Sequence, residues 1–277
     1  MHNPNLRKPG NALAVLGIFC LALSGAGQSA SALAHEKGKS SPESLDFLDP
    51  LIGDTPMSET GLRLDHRFRN RVAGTEHTLG LTAEYAFNDW LGFELEVPYA
   101  FLDPGDGPSR SNLGTIEIGL KFAPFVFPAQ GLAFGGGLEI ELPTGDESKS
   151  VGSNREVEVE PFLSAGWQVQ GLQATAKLSF GIPMNQSEEE ADEADLEIGF
   201  NLAFLYPLSP EFVPLLEFDG EGIAKGTDNE TVINATLGFL STPFENEDIT
   251  LGFGIGAPLT SDENFDVRTI FSVFYEL

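Results

Sequence analysis

Trp90-Leu91-Gly92-Phe93-Glu94-Leu95-Glu96-Val97-Pro98-Tyr99-Ala100-Phe101-Leu102 alternates residue by residue. Leu91, Phe93, Leu95, Val97, Tyr99 and Phe101 fall on one face of an extended chain, and Gly92, Glu94, Glu96 and Pro98 on the other. Successive side chains of a strand point to opposite faces, so a period of two reads as a strand with one apolar and one charged side. The last segment repeats the pattern. Val267, Thr269, Phe271, Val273, Tyr275 and Leu277 share one face, while Asp266, Arg268, Ser272 and Glu276 share the other with Ile270 and Phe274. Working outward from Trp90–Leu102, twelve such segments lie between Met57 and Leu277. They span 58–72, 76–88, 90–102, 112–123, 131–143, 155–168, 171–184, 195–206, 211–223, 230–241, 248–259 and 264–277. No helix-length pattern interrupts them, so neighbours are expected to pair as antiparallel hairpins.

The connections alternate in character. Asn88-Asp89, Gln170-Gly171 and Pro207 to Pro210 are compact, with 124–130 and 242–247 somewhat longer. The other set, 103–111, 144–154, 185–194, 224–229 and 260–263, is polar and mostly long, with Ala73 to Thr75 as its short member. Several strands end in an apolar residue and a proline: Val97-Pro98, Leu142-Pro143, Ile182-Pro183 and Ala257-Pro258. Proline cannot donate to a ladder and belongs where pairing stops. A meander with short turns on one rim and long loops on the other is the layout of a bacterial outer-membrane barrel.

Composition removes other classes. The chain has 277 residues, 42 acidic and 15 basic, for a formal net charge of −27, which argues against binding nucleic acid or settling on an anionic lipid surface. A single cysteine excludes a disulfide framework or a cysteine-based zinc site. No cofactor and no metal centre is expected, and neither a phosphate loop nor a dinucleotide fingerprint occurs. His66 and His77 are the histidines to check for hydrolase chemistry. They read as rim groups, because no Gly-x-Ser-x-Gly elbow accompanies them and outward serines are scarce. The chain is therefore not expected to be an enzyme.

Residues 1–34 read as a secretory signal peptide. Arg7 and Lys8 begin it, Leu13 to Leu23 form its apolar core, and Ala32-Leu33-Ala34 is the cleavage pattern. Its removal leaves a chain without cysteine. Residues 35–56 are polar, contain three prolines, and read as a flexible periplasmic N-terminal arm, with a small plug as the alternative. Residues 57–277 form the barrel.

Alternation alone also suits a soluble sandwich, whose apolar face turns inward. The contents of the faces favour the barrel. From the second segment to the last, the apolar face carries no Asp, Glu, Lys or Arg apart from Arg155 at the first position of the sixth. A charge facing lipid at mid-depth costs about 2–4 kcal/mol, and a closed barrel leaves no strand edges. Tyr85, Phe87, Tyr99, Phe101, Trp167, Tyr206 and Tyr275 lie near strand ends on that face, as two interfacial girdles require. The opposite face becomes the lumen. Its acidic residues are Glu84, Glu94, Glu96, Glu117, Glu139, Glu141, Glu156, Glu158, Glu160, Glu197 and Glu217. Closure pairs the last strand with the first, so Arg63, Arg67, Arg69 and Arg268 share a basic wall. Opposed basic and acidic walls set up a transverse field that selects small ions or polar solutes. Alternatively, Arg–Glu networks simply fill the lumen. Glu188, Glu189, Glu190, Asp192, Glu193 and Asp195 crowd one loop, which reads as a solvated loop or as a cation-collecting mouth.

The stretch Glu84-Tyr85-Ala86-Phe87-Asn88-Asp89-Trp90, continuing to Glu96-Val97-Pro98-Tyr99, resembles the second and third strands of a family of outer-membrane barrels, the phenol meta-degradation-pathway transporter-like group. Leu142-Pro143-Thr144-Gly145-Asp146 looks like that family's strand-end motif. The resemblance runs from Gly61 to Leu277 and implies a porin-like barrel with a transport role and no catalytic residues. Such barrels commonly end in an aromatic residue read by the insertion machinery; here Tyr275 stands two before Leu277. The expected surroundings are outer-membrane lipid and lipopolysaccharide, the barrel-insertion machinery and a small solute. The chain is expected to be a monomer.

Overall fold

The computed structural model describes residues 45–71, 74–154, 157–184, 196–209, 211–225, 231–244, 248–260 and 265–277. The expected signal peptide, Glu156 and the acidic loop at 188–195 lie outside the described residues. The strands are β1 (Gly61–Arg71), β2 (Gly74–Asn88), β3 (Leu91–Asp103), β4 (Arg110–Leu113), β5 (Ile116–Phe127), β6 (Leu132–Leu142) and β7 (Glu158–Val169). They continue as β8 (Leu172–Pro183), β9 (Leu196–Leu205), β10 (Val213–Lys225), β11 (Thr231–Ser241), β12 (Ile249–Pro258) and β13 (Phe265–Glu276). Each pairs antiparallel with its neighbours, and β1 pairs with both β2 and β13, so the sheet closes on itself. The short β4 and β5 lie successively against one strand. Leu91–Glu96 of β3 pairs with β5, and Tyr99–Leu102 pairs with β4. Together they make one wall position, interrupted at Gly114-Thr115, and the closed barrel has twelve. Apart from the short β4, strands of 10 to 15 residues meet the 9–11 or so that a tilted strand needs to cross a bilayer.

The outer wall is apolar as expected. Leu64, Leu81, Leu120, Leu163, Leu178 and Ile255 are exposed along it. Aromatics concentrate at the rim of short turns, where Tyr85, Phe87, Trp90, Phe122, Phe125, Phe127, Trp167 and Tyr275 are exposed. The long-loop rim carries Tyr99 and Phe101. A single extra residue in β5 explains part of this asymmetry. Phe122 pairs with Gly136, but Phe125 pairs with Phe134. This bulge reverses which face odd-numbered residues occupy, turning Phe125 and Phe127 outward. An irregularity at Arg71–Phe265 does the opposite. Phe265 is buried, under the guanidinium groups of Arg69 and Arg268 at 5.8 and 5.7 Å.

Pro161 and Pro214, two prolines that alternation places on the apolar face, behave differently. Pro214 stands at the start of β10, where few ladder bonds exist to lose. Pro161 lies inside β7 without a bulge: the pairing with β8 skips Glu160 and Pro161 and resumes at Phe162–Ser179 in the same register. The sheet therefore absorbs one missing N–H without shifting its pattern. Leu163 follows at mid-strand, 62% exposed on the outer wall. Leu163→Arg is expected to destabilise the folded barrel by about 2–4 kcal/mol, read as a lower denaturant midpoint for the folded band on unheated gels. An unchanged midpoint would mean that this face does not meet lipid.

The N-terminal segment departs from expectation. Residues 45–56 do not form a loose periplasmic arm; they run inside the barrel. Phe47 is 2% and Leu51 0% exposed, and Pro50, Thr55 and Pro56 are also buried. The reason is apolar content that a polar average conceals. Leu48, Leu51 and Ile52 pack with the lumen-side residues Ala203, Leu205, Val213, Leu215, Leu240 and Ile270, while Phe47 lies against Gly166. The lumen therefore holds a small hydrophobic core of its own.

Candidate functional site

The lumen wall lacks side chains where the internal segment needs room. A Cβ on Gly252 would stand 2.4 Å from Leu51 Cδ2, and one on Gly254 would stand 2.7 Å from Leu51 Cδ1. On Gly166 it would meet the Phe47 ring at 2.6 Å, and on Gly92 the Ser58 Oγ at 2.1 Å. With Gly135 beside the Pro56 carbonyl and Gly238 beside Leu51, the inner-face glycines of β3, β6, β7, β11 and β12 are thus a mould for residues 47–58. Burying a leucine so completely contributes about 1.5–3 kcal/mol.

Polar contacts fix the segment in register. Lys121 on β5 is 3% exposed, and its ammonium lies 2.7 Å from Asp54, 3.1 Å from Glu84 and 2.8 Å from Glu94. The three carboxylates present oxygens within 4.8 Å of one another. Such a set could surround a cation, and Lys121 is the cation that takes the place. Arg63 on β1 donates to the carbonyls of Pro50, at 3.3 Å, and Leu51, and pairs with Asp65 at 2.8 Å. Gln173 on β8 accepts from Leu48 N–H at 2.9 Å and donates to the Asp46 carbonyl at 3.2 Å. Glu217 on β10 accepts from Ile52 N–H at 3.1 Å. Burial pushes the Asp49 carboxyl above its usual range, and the neighbouring Asp54 adds to the effect.

The expected basic wall exists in sequence register but not as an unbroken field. Arg69 stands opposite Arg268 between β1 and β13. Arg268, 3% exposed, turns away along the wall and bonds both oxygens of Asp219, with a further bond to Thr236 Oγ1 at 2.9 Å. Arg67 lies 3.7 Å from Asp65 and 3.9 Å from Glu96. Arg69 and Arg71 share Glu76. Lys177 bonds Glu139 at 2.6 Å, approaches Glu160 at 3.8 Å, and sits over the Phe162 ring. Each of these described bases is therefore neutralised close by.

A cavity of about 270 Å³ remains between the internal segment and β1–β3, reaching the short-turn rim at Asp248 and Glu276. Glu84, Glu94, Glu96, Glu117 and Glu139 line it with Asp49, Asp54 and Asp65, against Arg63, Arg67 and Lys177. Carboxylates outnumber bases there. Glu141, Glu158, Glu160 and Glu197 occupy strand ends toward the long-loop rim, and Glu197 is exposed.

His66 and His77 meet each other on neighbouring strands. His66 Nε2 lies 3.1 Å from His77 Nδ1, and the rings stack on the outer wall beside Phe68. Neighbouring strands bring them together because Phe68 faces His77 across the β1–β2 ladder. The alternation pattern pointed to the charged lumen but missed Gln173, Leu51 and Asp54. The signal available was the glycine run Gly252, Gly254 and Gly256 on an inner face, matched by apolar pairs in the segment before the barrel.

No protein-family model and no curated protein matches the chain. Solved outer-membrane barrels do resemble it in fold. The COG4313 outer membrane channel from Pseudomonas putida F1 gives a TM-score of 0.60 at 12% identity, over 84% of this chain and 100% of that one. The NanC porin gives 0.58 at 10% identity, over 77% of this chain and 100% of that one. At such identities the likeness is one of architecture, and that architecture is the closed antiparallel β-barrel.

Proposed function

We propose that this protein is an outer-membrane channel for passive passage of small polar or aromatic solutes, with a lumen that favours cations. The observation that carries the reading is the charge of the lumen. Its described bases are each held by a carboxylate, and further carboxylates line the remaining cavity. Excess fixed negative charge in a narrow aqueous path raises the local concentration of cations. The fold shared with a porin and an outer-membrane channel supports the role, and the phenol-group resemblance alone motivates the aromatic solutes. No catalytic group is assigned, and the protein is read as a monomer in contact with lipid, lipopolysaccharide and the barrel-insertion machinery.

The test is single-channel conductance of the refolded full chain in a planar bilayer under a salt gradient. The expected reversal potential has the cation sign, and anion selectivity would overturn the reading. A second reading has its own observation. Residues 45–56 fill part of the lumen, as they would in a non-conducting structural or surface-interaction barrel with acidic, ion-binding extracellular loops. Stable insertion without current steps would favour it.

A further inference from the structure

The internal segment is gripped by its main chain. Gln173 takes the N–H of Leu48 and the carbonyl of Asp46 with one side-chain amide. That is the pattern the N–H and C=O of a single residue make with an adjacent parallel strand, bonding residues two apart. Glu217 takes the Ile52 N–H, and Arg63 takes the carbonyls of Pro50 and Leu51. These bonds fall on groups that every peptide carries, whatever its side chains. Gln173 is 5% and Glu217 0% exposed, so neither is a chance surface contact.

The same band of wall holds more polar groups than the segment uses. Thr175 Oγ1 is buried and has no partner among the described residues. Asn201, 9% exposed, has neither its oxygen nor its nitrogen partnered among them, and its tip lies against Gly53, 1.8 Å from where a Cβ would stand. Buried polar groups are ordinarily bonded. Unused donors and acceptors beside a line of used ones mark a surface made for extended polar chain.

We infer that the lumen wall formed by β8, β9 and β10, with Arg63 opposite, is a peptide-backbone cradle. It holds the chain's own residues 46–54 in cis and takes an extended oligopeptide in trans when that segment is out. Two side-chain positions add selectivity. The recess at Gly252 and Gly254 accepts one aliphatic residue, as it accepts Leu51, and Lys121 accepts an acid three residues later, as it accepts Asp54. The inference does not depend on ion conduction. Tethering gives the native segment an effective concentration of about millimolar, so the unmodified chain should bind a free peptide weakly.

The test uses full-length protein in detergent and a fluorescein-labelled peptide carrying the sequence of residues 45–56, followed by anisotropy. Two variants release the native segment by different means. Leu51→Asp places a carboxylate in the apolar recess, and Gly53→Val collides with Asn201. Folding of each is checked by its mobility on unheated gels. Both released variants are expected to bind the peptide at least tenfold more tightly than the native chain. Adding Gln173→Ala to either should weaken binding about tenfold, as should N-methylation of the peptide at Leu48 and Ile52. Equal binding by native and released chains would overturn the cradle. So would binding by folded variants that ignores both Gln173→Ala and N-methylation, and so would folded released variants that do not bind. Absence of channel current would leave these readouts intact.

Discussion

Lys121→Met is expected to destabilise the folded protein by about 3–5 kcal/mol, the usual consequence of removing one partner from a buried ionic cluster. Methionine fills most of the lysine's volume, so packing is largely kept. Its ammonium is lost, and Asp54, Glu84 and Glu94 are left facing one another. Mutual repulsion then opposes both the docked segment and the β2–β3–β5 wall. Denaturant titration of the folded band measures the change. Adding Glu84→Gln and Glu94→Gln to Lys121→Met should recover much of the loss, since neutral amides do not need the cation. A wild-type midpoint for Lys121→Met would show that the cluster is solvated and the lysine dispensable.

Leu51→Ala should loosen the internal segment without unfolding the barrel. Leu51 is fully buried between the segment and the glycines of β11 and β12. Leucine-to-alanine changes at such sites cost about 2–5 kcal/mol. Here the loss falls on docking, because the strands keep their own ladders and their lipid-facing surface. Chymotrypsin cleavage after Phe47 or Leu48 reports the undocked population when opening is fast relative to cleavage. The rate should rise about thirtyfold or more, at roughly tenfold per 1.4 kcal/mol, while gel mobility of the barrel stays native. If the channel reading holds, the same variant should conduct in larger or more frequent steps. Unchanged cleavage would place the segment's stability in its polar anchors alone.

Much of this architecture was legible because a barrel writes its faces into every second residue. The Trp90–Leu102 stretch assigned its lipid side and its lumen side correctly, and the same rule located Arg268, Glu217 and Lys121 on the inner face. Parity fails where the chain gains a residue. Neither the outward turn of Phe125 nor the inward turn of Phe265 can be seen without pairing register. The internal segment was hidden for another reason. Asp46-Phe47-Leu48-Asp49-Pro50-Leu51-Ile52 has no period, and its partners Gln173 and Glu217 lie more than 100 positions away. Only closure of the sheet brings Gln173 and Glu217 to it. For the arginine wall, register tells which residues are neighbours, not where a long side chain goes. Arg268 is level with Arg69 but is drawn to Asp219.

The positions of the segment's anchors also have a mechanical consequence. In the order of the ring, Arg63 on β1 stands diametrically across from Gln173 on β8, and Lys121 on β5 stands across from the β11 and β12 glycines that seat Leu51. Residues 46–54 therefore tie the cylinder along two crossed diameters, as spokes tie a rim. An empty twelve-strand tube can flatten at little cost, because its ladders hinge between strands. A tube spoked from within resists flattening in both directions, so the segment that narrows the bore also holds its cross-section round.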